Sequence, residues 1–325
     1  MMLLPLEPLL WVREKMLNVG ILYRSIEVIS LLDEMDLTKE RFLRNFPIYK
    51  YIKTEYIFEV SINCGWIGNN SNNYLKPTDR GYQLLSYSDP VDRLRTQIKD
   101  IINTSPPPWL PIVKQGRKQA KRHMSPNEIQ CLESANLLEE FDFSIGRWWD
   151  ELIMRCFEED QRKRYATGRK GEYLTLIFER LRTSKKPTLV SIDVNFAGYD
   201  VLSQESSLDS DPLYIEVKSS KLNWNQATFI ISRNEWDVFS KNKNSRIYLW
   251  CFCGGLLFSR LSFNEVSNSI PEDQGIGRWR DVEIPFKLAK PEQDPFGSFA
   301  EIDHNTKEEI SSILNEESTF GQPWV

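Results

Sequence analysis

In Leu213-Tyr-Ile-Glu-Val-Lys218 apolar and polar residues alternate, so on a strand Leu213, Ile215 and Val217 face one way while Tyr214, Glu216 and Lys218 face the other. Glu216 and Lys218 are then same-side neighbours about 6 to 7 Å apart. The polar run 204–211 reads as a loop, and a hairpin symmetric about Leu208 sets Asp200 directly across from Glu216, with Cβ atoms about 5 Å apart. Two carboxylates so placed repel unless something positive sits between them. A divalent cation suits that position, because Mg²⁺ takes one or two carboxylates and completes its shell with water and substrate phosphate; Mn²⁺ is the alternative. Lys218, on the same face, would orient or help deprotonate the attacking water and offset charge building on phosphorus. These residue types describe phosphodiester hydrolysis without histidine.

Composition narrows the alternatives. Only two histidines occur, His123 and His304, each in a polar segment, which all but excludes chemistry needing a His base with His metal ligands. The 325 residues, 41% apolar, suffice for two domains and a proper core, and a net charge of −5 leaves any nucleic-acid partner to local basic patches. Five scattered cysteines suit a reducing cytoplasm. Cys251 and Cys253 lie in the apolar run 247–258, which reads as a buried strand; no second Cys/His pair completes a zinc site. The apolar start is broken by prolines and lacks a basic region, so it does not read as a signal peptide, and no run approaches the roughly 18 apolar residues of a membrane span. A cytoplasmic protein with no membrane partner is expected.

The positioning elements follow from periodicity. Leu9, Leu10, Val12, Met16, Leu17 and Ile21 recur at helical spacing, Ile26, Val28, Ile29, Leu31 and Leu32 form a second stripe, and Thr38 caps a third short helix. Two short strands around a Gly/Asn-rich tip follow within 64–78, and Thr78 caps the next helix. That order resembles a winged helix-turn-helix; a small all-helical packing domain is the alternative. Ser105-Pro-Pro-Pro-Trp109 closes this region. Beyond it Lys114, Arg117, Lys118, Lys121 and Arg122 fall at helical intervals, a stripe that would suit a phosphate backbone or a merely solvated face. Trp149, Leu152, Ile153, Cys156 and Phe157, then Leu174, Ile177, Phe178 and Leu181, mark two further helices, with Trp148 and Trp149 in the core. Strands are expected at 188–196, 199–203, 213–219, 228–231 and 246–252, with a short helix opened by the capping box Ser232-Arg-Asn-Glu235. The reading is an α/β (α+β) fold: a mostly helical winged-helix-like domain at 1–104, a basic helical connector at 105–145, a domain with a central mixed β-sheet flanked by helices at 146–290, and a polar tail from 291 with a helix at 306–315.

Gly168-Arg-Lys-Gly-Glu172, Gly198-Tyr-Asp200, Tyr214-Ile-Glu-Val-Lys-Ser-Ser220 and Phe229-Ile-Ile-Ser-Arg-Asn-Glu-Trp236 occur in order. Over about residues 146–255 this set resembles the PD-(D/E)xK nuclease superfamily, with its restriction-endonuclease-like fold, and within it the NO VEIN C-terminal-type branch. The resemblance implies a metal-dependent DNA endonuclease in which Asp200, Glu216 and Glu172 ligate Mg²⁺ or Mn²⁺ and Lys218 acts on the water. It further implies an effector of a prokaryotic restriction or antiphage system, with DNA as partner. Tyr199 stands where that family commonly has proline. Glu172 lies opposite the centre of its helix's apolar stripe, so either it sits in a first turn or the helix is packed on two sides. Glu235 is read chiefly as a helix cap. Arg169 and Lys170, beside the site, are expected on DNA phosphates. No Walker-type phosphate loop occurs, so energy coupling would come from a helicase or ATPase subunit; a homodimer would allow two cuts. The rival readings are a DNA-binding module on a nuclease fold and a structural subunit of a defence complex.

Overall fold

The computed structural model describes residues 17–315 other than 51, 140, 243, 275, 276 and 300; the stripe at Leu9 to Met16 lies outside them. The chain divides into two compact units, one running to Leu110 and including Ala120–Glu140, the other made of Pro111–Gln119 with the chain from Phe141 onward.

In the first unit, α1 (Val19–Glu34) starts at Asn18, whose side chain accepts the Ile21 N–H. It carries Ile21 together with Ile26 to Leu32, so stripes expected on separate helices share one. Thr38 caps α2 (Lys39–Asn45), as its hydroxyl oxygen suggests. The ribbon of β1 (Ile48–Tyr49) and β2 (Ile52–Lys53) leads into α3 (Thr54–Asn63), a helix the sequence pattern did not single out. The ribbon β3 (Ile67–Asn69) and β4 (Leu75–Pro77) then turns into α4 (Asp79–Ser86), capped by Thr78, and α5 (Pro90–Thr104). Buried Trp66 donates its indole N–H to Asp100 at 2.8 Å, and Arg80 pairs with the same carboxylate at 2.6 Å. A 3-10 turn at Leu110–Gln115 and the five-residue α6 (Arg117–Lys121), most of which belong to the second unit, precede α7 (Pro126–Ser134) of the first, which opens on a Ser125–Glu128 capping box.

The second unit is built on the helices α8 (Phe143–Arg155) and α9 (Glu159–Thr183) and the strands β5 (Thr188–Leu189), β6 (Val201–Gln204) and β7 (Pro212–Ser220). Next come β8 (Thr228–Ser232), α10 (Arg233–Lys241), β9 (Ser245–Cys251), β10 (Leu257–Leu261) and α11 (Phe263–Ser267). The chain continues through β11 (Asp281–Pro285) and β12 (Glu292–Gln293) to α12 (His304–Asn315). The fold is mixed α/β. Six strands form a mixed sheet in the order β12-β10-β9-β7-β6-β5, parallel only between β7 and β9 among the described residues. β8 leaves that sheet and pairs antiparallel with β11.

Side-chain alternation on β9 separates two layers. Tyr248 and Trp250 face α9, where Tyr248 donates to buried Glu179 and Trp250 to Thr175, each at 2.8 Å. Ile247, Leu249 and Cys251 face a second core with Phe229 and Ile231 of β8, Phe239 of α10 and Ile284 of β11. α9 is held on its other side by α12, through Arg180 on Glu309 and Lys170 on the Leu314 carbonyl. The helix is therefore packed on two sides, and Glu172 lies well inside it, thirteen positions after a start at Glu159. Trp148 and Trp149 are core residues, as their spacing suggested.

α9 approaches β7 most closely at Gly171, where a Cβ would sit 2.0 Å from Ser219 Oγ and 3.2 Å from the Trp250 ring. Gly171→Ala is expected to destabilise the fold by about 1–3 kcal/mol. Adding Ser219→Ala should recover part of that loss, read as the urea midpoint of the single and double variants; no recovery would place the strain elsewhere.

Candidate active site

The β6–β7 register decides the geometry. Val201 pairs with Ile215 and Leu202 with Tyr214, so Asp200, one residue before β6, lies opposite Glu216, as a hairpin symmetric about Leu208 requires. The Asp200 N–H donates to the Ile215 carbonyl at 2.9 Å, and its Oδ2 accepts the Val217 N–H at 2.8 Å, which fixes the carboxylate against β7. In the parallel pairing Glu216 matches Ile247 and Lys218 matches Leu249. Glu216 and Lys218 thus share the face covered by α10, whereas α9 covers the other.

From α10 comes Glu235. One of its carboxylate oxygens accepts the Ser232 N–H at 2.6 Å, completing the expected capping box. Its other oxygen lies 2.9 Å from Lys218 Nζ, and Glu216 Oε1 lies 2.7 Å from the same nitrogen. The capping role was legible; the second contact was not, because it joins residues brought together only by the packing of α10 on β7.

Glu172 reaches the cluster from the opposite layer. Its Oε2 accepts from Arg169 at 2.6 Å and from the Ser191 hydroxyl. Arg169 is 4% exposed, with Nε 3.0 Å from buried Asp150, and Asp150 in turn accepts from Tyr165 at 2.6 Å and from Tyr173. This corrects the expectation that Arg169 meets DNA phosphates: its guanidinium faces inward and serves two acids. Asp150, Ser191, Tyr165 and Tyr173 were missed because no local spacing links them to the hairpin. Lys170 donates to the Leu314 carbonyl and lies over the Phe252 ring. Of the basic stripe, Arg117 is buried with Nε 2.7 Å from Asp193, and Lys121 pairs with Glu139 at 2.7 Å and Glu133 at 3.4 Å. Lys118 and Arg122 remain exposed. The five therefore do not make one solvent-facing phosphate stripe.

The electrostatics follow from too few cations. Asp150, Glu172, Asp200, Glu216 and Glu235 share Arg169 and Lys218. Burial, and next the charge of Glu172, raises the Asp200 carboxyl to about 7, with Lys218 opposing. Burial and Asp200 hold Glu216 well above the usual carboxylate range, and burial raises Glu172 against the pull of Arg169. Burial also works against ionised Glu235, but Lys218, Glu216 and the Ser232 N–H outweigh it and keep that carboxylate below its ordinary value. For Lys218 the acids Glu216 and Glu235 outweigh burial and hold the ammonium protonated above the usual lysine range. An amine so held is a poor proton acceptor; it suits orientation and charge compensation.

Carboxylates that keep protons to near neutrality for want of a counter-charge are chemically matched to a hard divalent cation. Among the described residues no group of three or more His, Cys, Asp or Glu side chains is arranged to hold a metal ion. The available donor set is therefore the facing pair Asp200 and Glu216, with Glu172 engaged by Arg169 and Ser191 from the other layer.

Residues 172–251 match the family model Protein NO VEIN, C-terminal. The matched segment runs from Glu172 to Cys251 and contains Asp200, Glu216, Lys218 and Glu235; Asp150 and Arg169 precede it. No curated protein and no solved structure matches the chain. Among the described residues no helix is long and apolar enough to cross a membrane.

Two outcomes test this electrostatic picture. Arg169→Met strands Asp150 and Glu172 without a counter-charge and is expected to cost about 3–5 kcal/mol in chemical denaturation, far above an ordinary surface substitution. Because the folded Asp200 holds a proton that the unfolded chain releases, its contribution is full below about pH 4 and is lost as pH rises through about 7. In EDTA, Asp200→Asn should therefore melt higher than the parent at pH 8, with the gap shrinking toward pH 5; a gap that grows on acidification would contradict the assignment.

Proposed function

We propose that the second unit is a metal-dependent phosphodiester hydrolase acting as a DNA endonuclease. The observation that carries this reading is the juxtaposition of Asp200 and Glu216 on adjacent strands, with Lys218 Nζ 2.7 Å from Glu216 on the same face. Asp200 and Glu216 would hold Mg²⁺ or Mn²⁺, which supplies Lewis-acid polarisation of the phosphate and activation of water when bound. Lys218, kept charged by Glu216 and Glu235, compensates negative charge that develops on the phosphoryl oxygens. Glu235 sets the direction of that amine, and Arg169 with Ser191 holds Glu172 in place behind Asp200. Lys218, held as an ammonium, has no lone pair with which to take a proton from the attacking water, so its part is orientation and charge compensation.

The restriction-endonuclease-like fold and the defence role rest on the resemblance of the ordered motifs to the PD-(D/E)xK superfamily, which the match to the NO VEIN C-terminal family supports at the level of the domain. On that reading the chain is an effector of a prokaryotic restriction or antiphage system, with a helicase or ATPase subunit as partner. The first unit is read as winged-helix-like. Its helix ahead of the β3–β4 ribbon, α3, carries Glu55 and Glu59 and no Lys or Arg, which favours a protein partner over a phosphate backbone for that helix.

Purified protein on supercoiled plasmid tests the proposal. Nicking with Mg²⁺, its absence in EDTA, and a loss of about 100-fold or more in Lys218→Ala are expected. Retarded mobility without nicking would instead favour a DNA-binding module, and neither effect a structural subunit.

A further inference from the structure

The segment 190–199, between β5 and β6, was expected to continue a strand through Phe196, and it does not. It turns at once: the Val190 and Ser191 N–H groups donate to the Asp200 carbonyl, and the Asp193 and Val194 N–H groups to the Val190 carbonyl. The resulting loop is pinned from two directions. The Arg117 N–H donates to the Ile192 carbonyl and the Lys118 N–H to that of Asp193, while the Arg117 guanidinium holds the Asp193 carboxylate. Asn195 Nδ2 donates to the Lys114 carbonyl, and on the other side Asn234 Nδ2 of α10 donates to the Phe196 carbonyl, both at 3.2 Å. Gly116, at φ +104°, lies so close that a Cβ would stand 2.4 Å from the Asp193 carbonyl oxygen. Ser191 of the same loop donates to Glu172.

A backbone held this tightly nevertheless presents Phe196 at 70% exposure, four residues before Asp200 and against the N-terminal turn of the helix that bears Glu235. Lys114 and Lys118 flank the loop, both exposed; Asp193 pairs with Arg117 at 2.7 Å and more loosely with Lys118 at 3.4 Å, and the Lys114 ammonium lies 3.5 Å from the Cys156 carbonyl. An exposed aromatic ring on a pinned backbone, with lysines on the segment that pins it, is the combination by which unpaired strands are held: the ring stacks on a base and the cations follow the backbone. A base in an intact duplex is stacked on its neighbours and offers no face to such a ring.

We infer that Phe196 is a stacking platform for an unpaired base next to the scissile phosphate, and that the site therefore takes single-stranded or locally opened nucleic acid. The inference deepens the hydrolase reading in its substrate class, but binding to the ring does not require catalysis. The segment 114–118, part of the stripe Lys114 to Arg122 expected either on a phosphate backbone or as a solvated face, acts here chiefly as the clamp that holds the backbone ahead of Phe196, and Lys114 and Lys118 are the cations it offers to a strand.

The experiment is fluorescence anisotropy in EDTA with labelled oligothymidine, the matching oligouridine and a DNA duplex, so that no cleavage intervenes. Tighter binding of a single strand than of duplex is expected, weakened about 10-fold or more in Phe196→Ala and retained in Phe196→Trp. Leu208→Ala, at the remote hairpin tip, serves as a control of equal surface character, being 98% exposed in the parent. Unchanged affinity in Phe196→Ala, or equal binding of duplex and single strands, overturns the inference even if the protein nicks plasmid. Conversely, Phe196-dependent strand binding by a protein that never hydrolyses DNA keeps the inference and removes the hydrolase reading.

Discussion

Like charges facing each other across a strand pair organise the second unit. The hairpin of β6 and β7 sets Asp200 opposite Glu216 at a cost that the sheet alone does not recover, and the neighbouring elements answer that cost. Lys218 comes from the same strand, Glu235 fixes it from α10, and Arg169 restrains Glu172 from α9. Even so the acids outnumber the bases, and the excess shows as protons retained to near neutrality on Asp200. That imbalance is costly, because buried like charges are destabilising unless neutralised.

The two layers divide the work. α10 and the β8–β11 ribbon form a compact apolar core on one face, which gives Glu235 a rigid base from which to hold the amine. α9 brings a different kind of interior to the other face, one containing Arg169, Glu179 and Thr175 with their partners. Its Glu179 is gripped by Arg182 through two oxygens and by Tyr248, so the far end of the helix is locked to β9 while its middle carries Glu172. Polar burial of this sort holds one register of helix against sheet, because any slide leaves charges unpaired.

What the sequence disclosed and what it hid divide by range. The alternation in 213–218, the mirror position of Leu208, and the caps at Thr38, Thr78 and Ser232 are all local, and each appears in the fold. Hidden were contacts that span the chain. β8 finds its partner about fifty residues later in β11, Arg117 reaches Asp193, and Asp150 meets Arg169 across the turn between two helices. Thr188 to Phe196 alternates as a strand would, yet Arg117 and Gly116 turn it into a clamped loop. Arg169 read as a surface cation for the same reason: nothing within a few residues of it announces that Asp150, Tyr165 and Tyr173 enclose it.

Glu235 has two duties, and the fold gives them to one carboxylate. The oxygen that closes the first turn of α10 and the oxygen that directs the Lys218 amine belong to the same planar group. Fraying of that turn would swing the amine off target while both strands stayed intact. The position of the Lys218 amine is thus coupled to one short stretch of backbone, the capped first turn of α10, and would be lost with that turn even where the sheet persists.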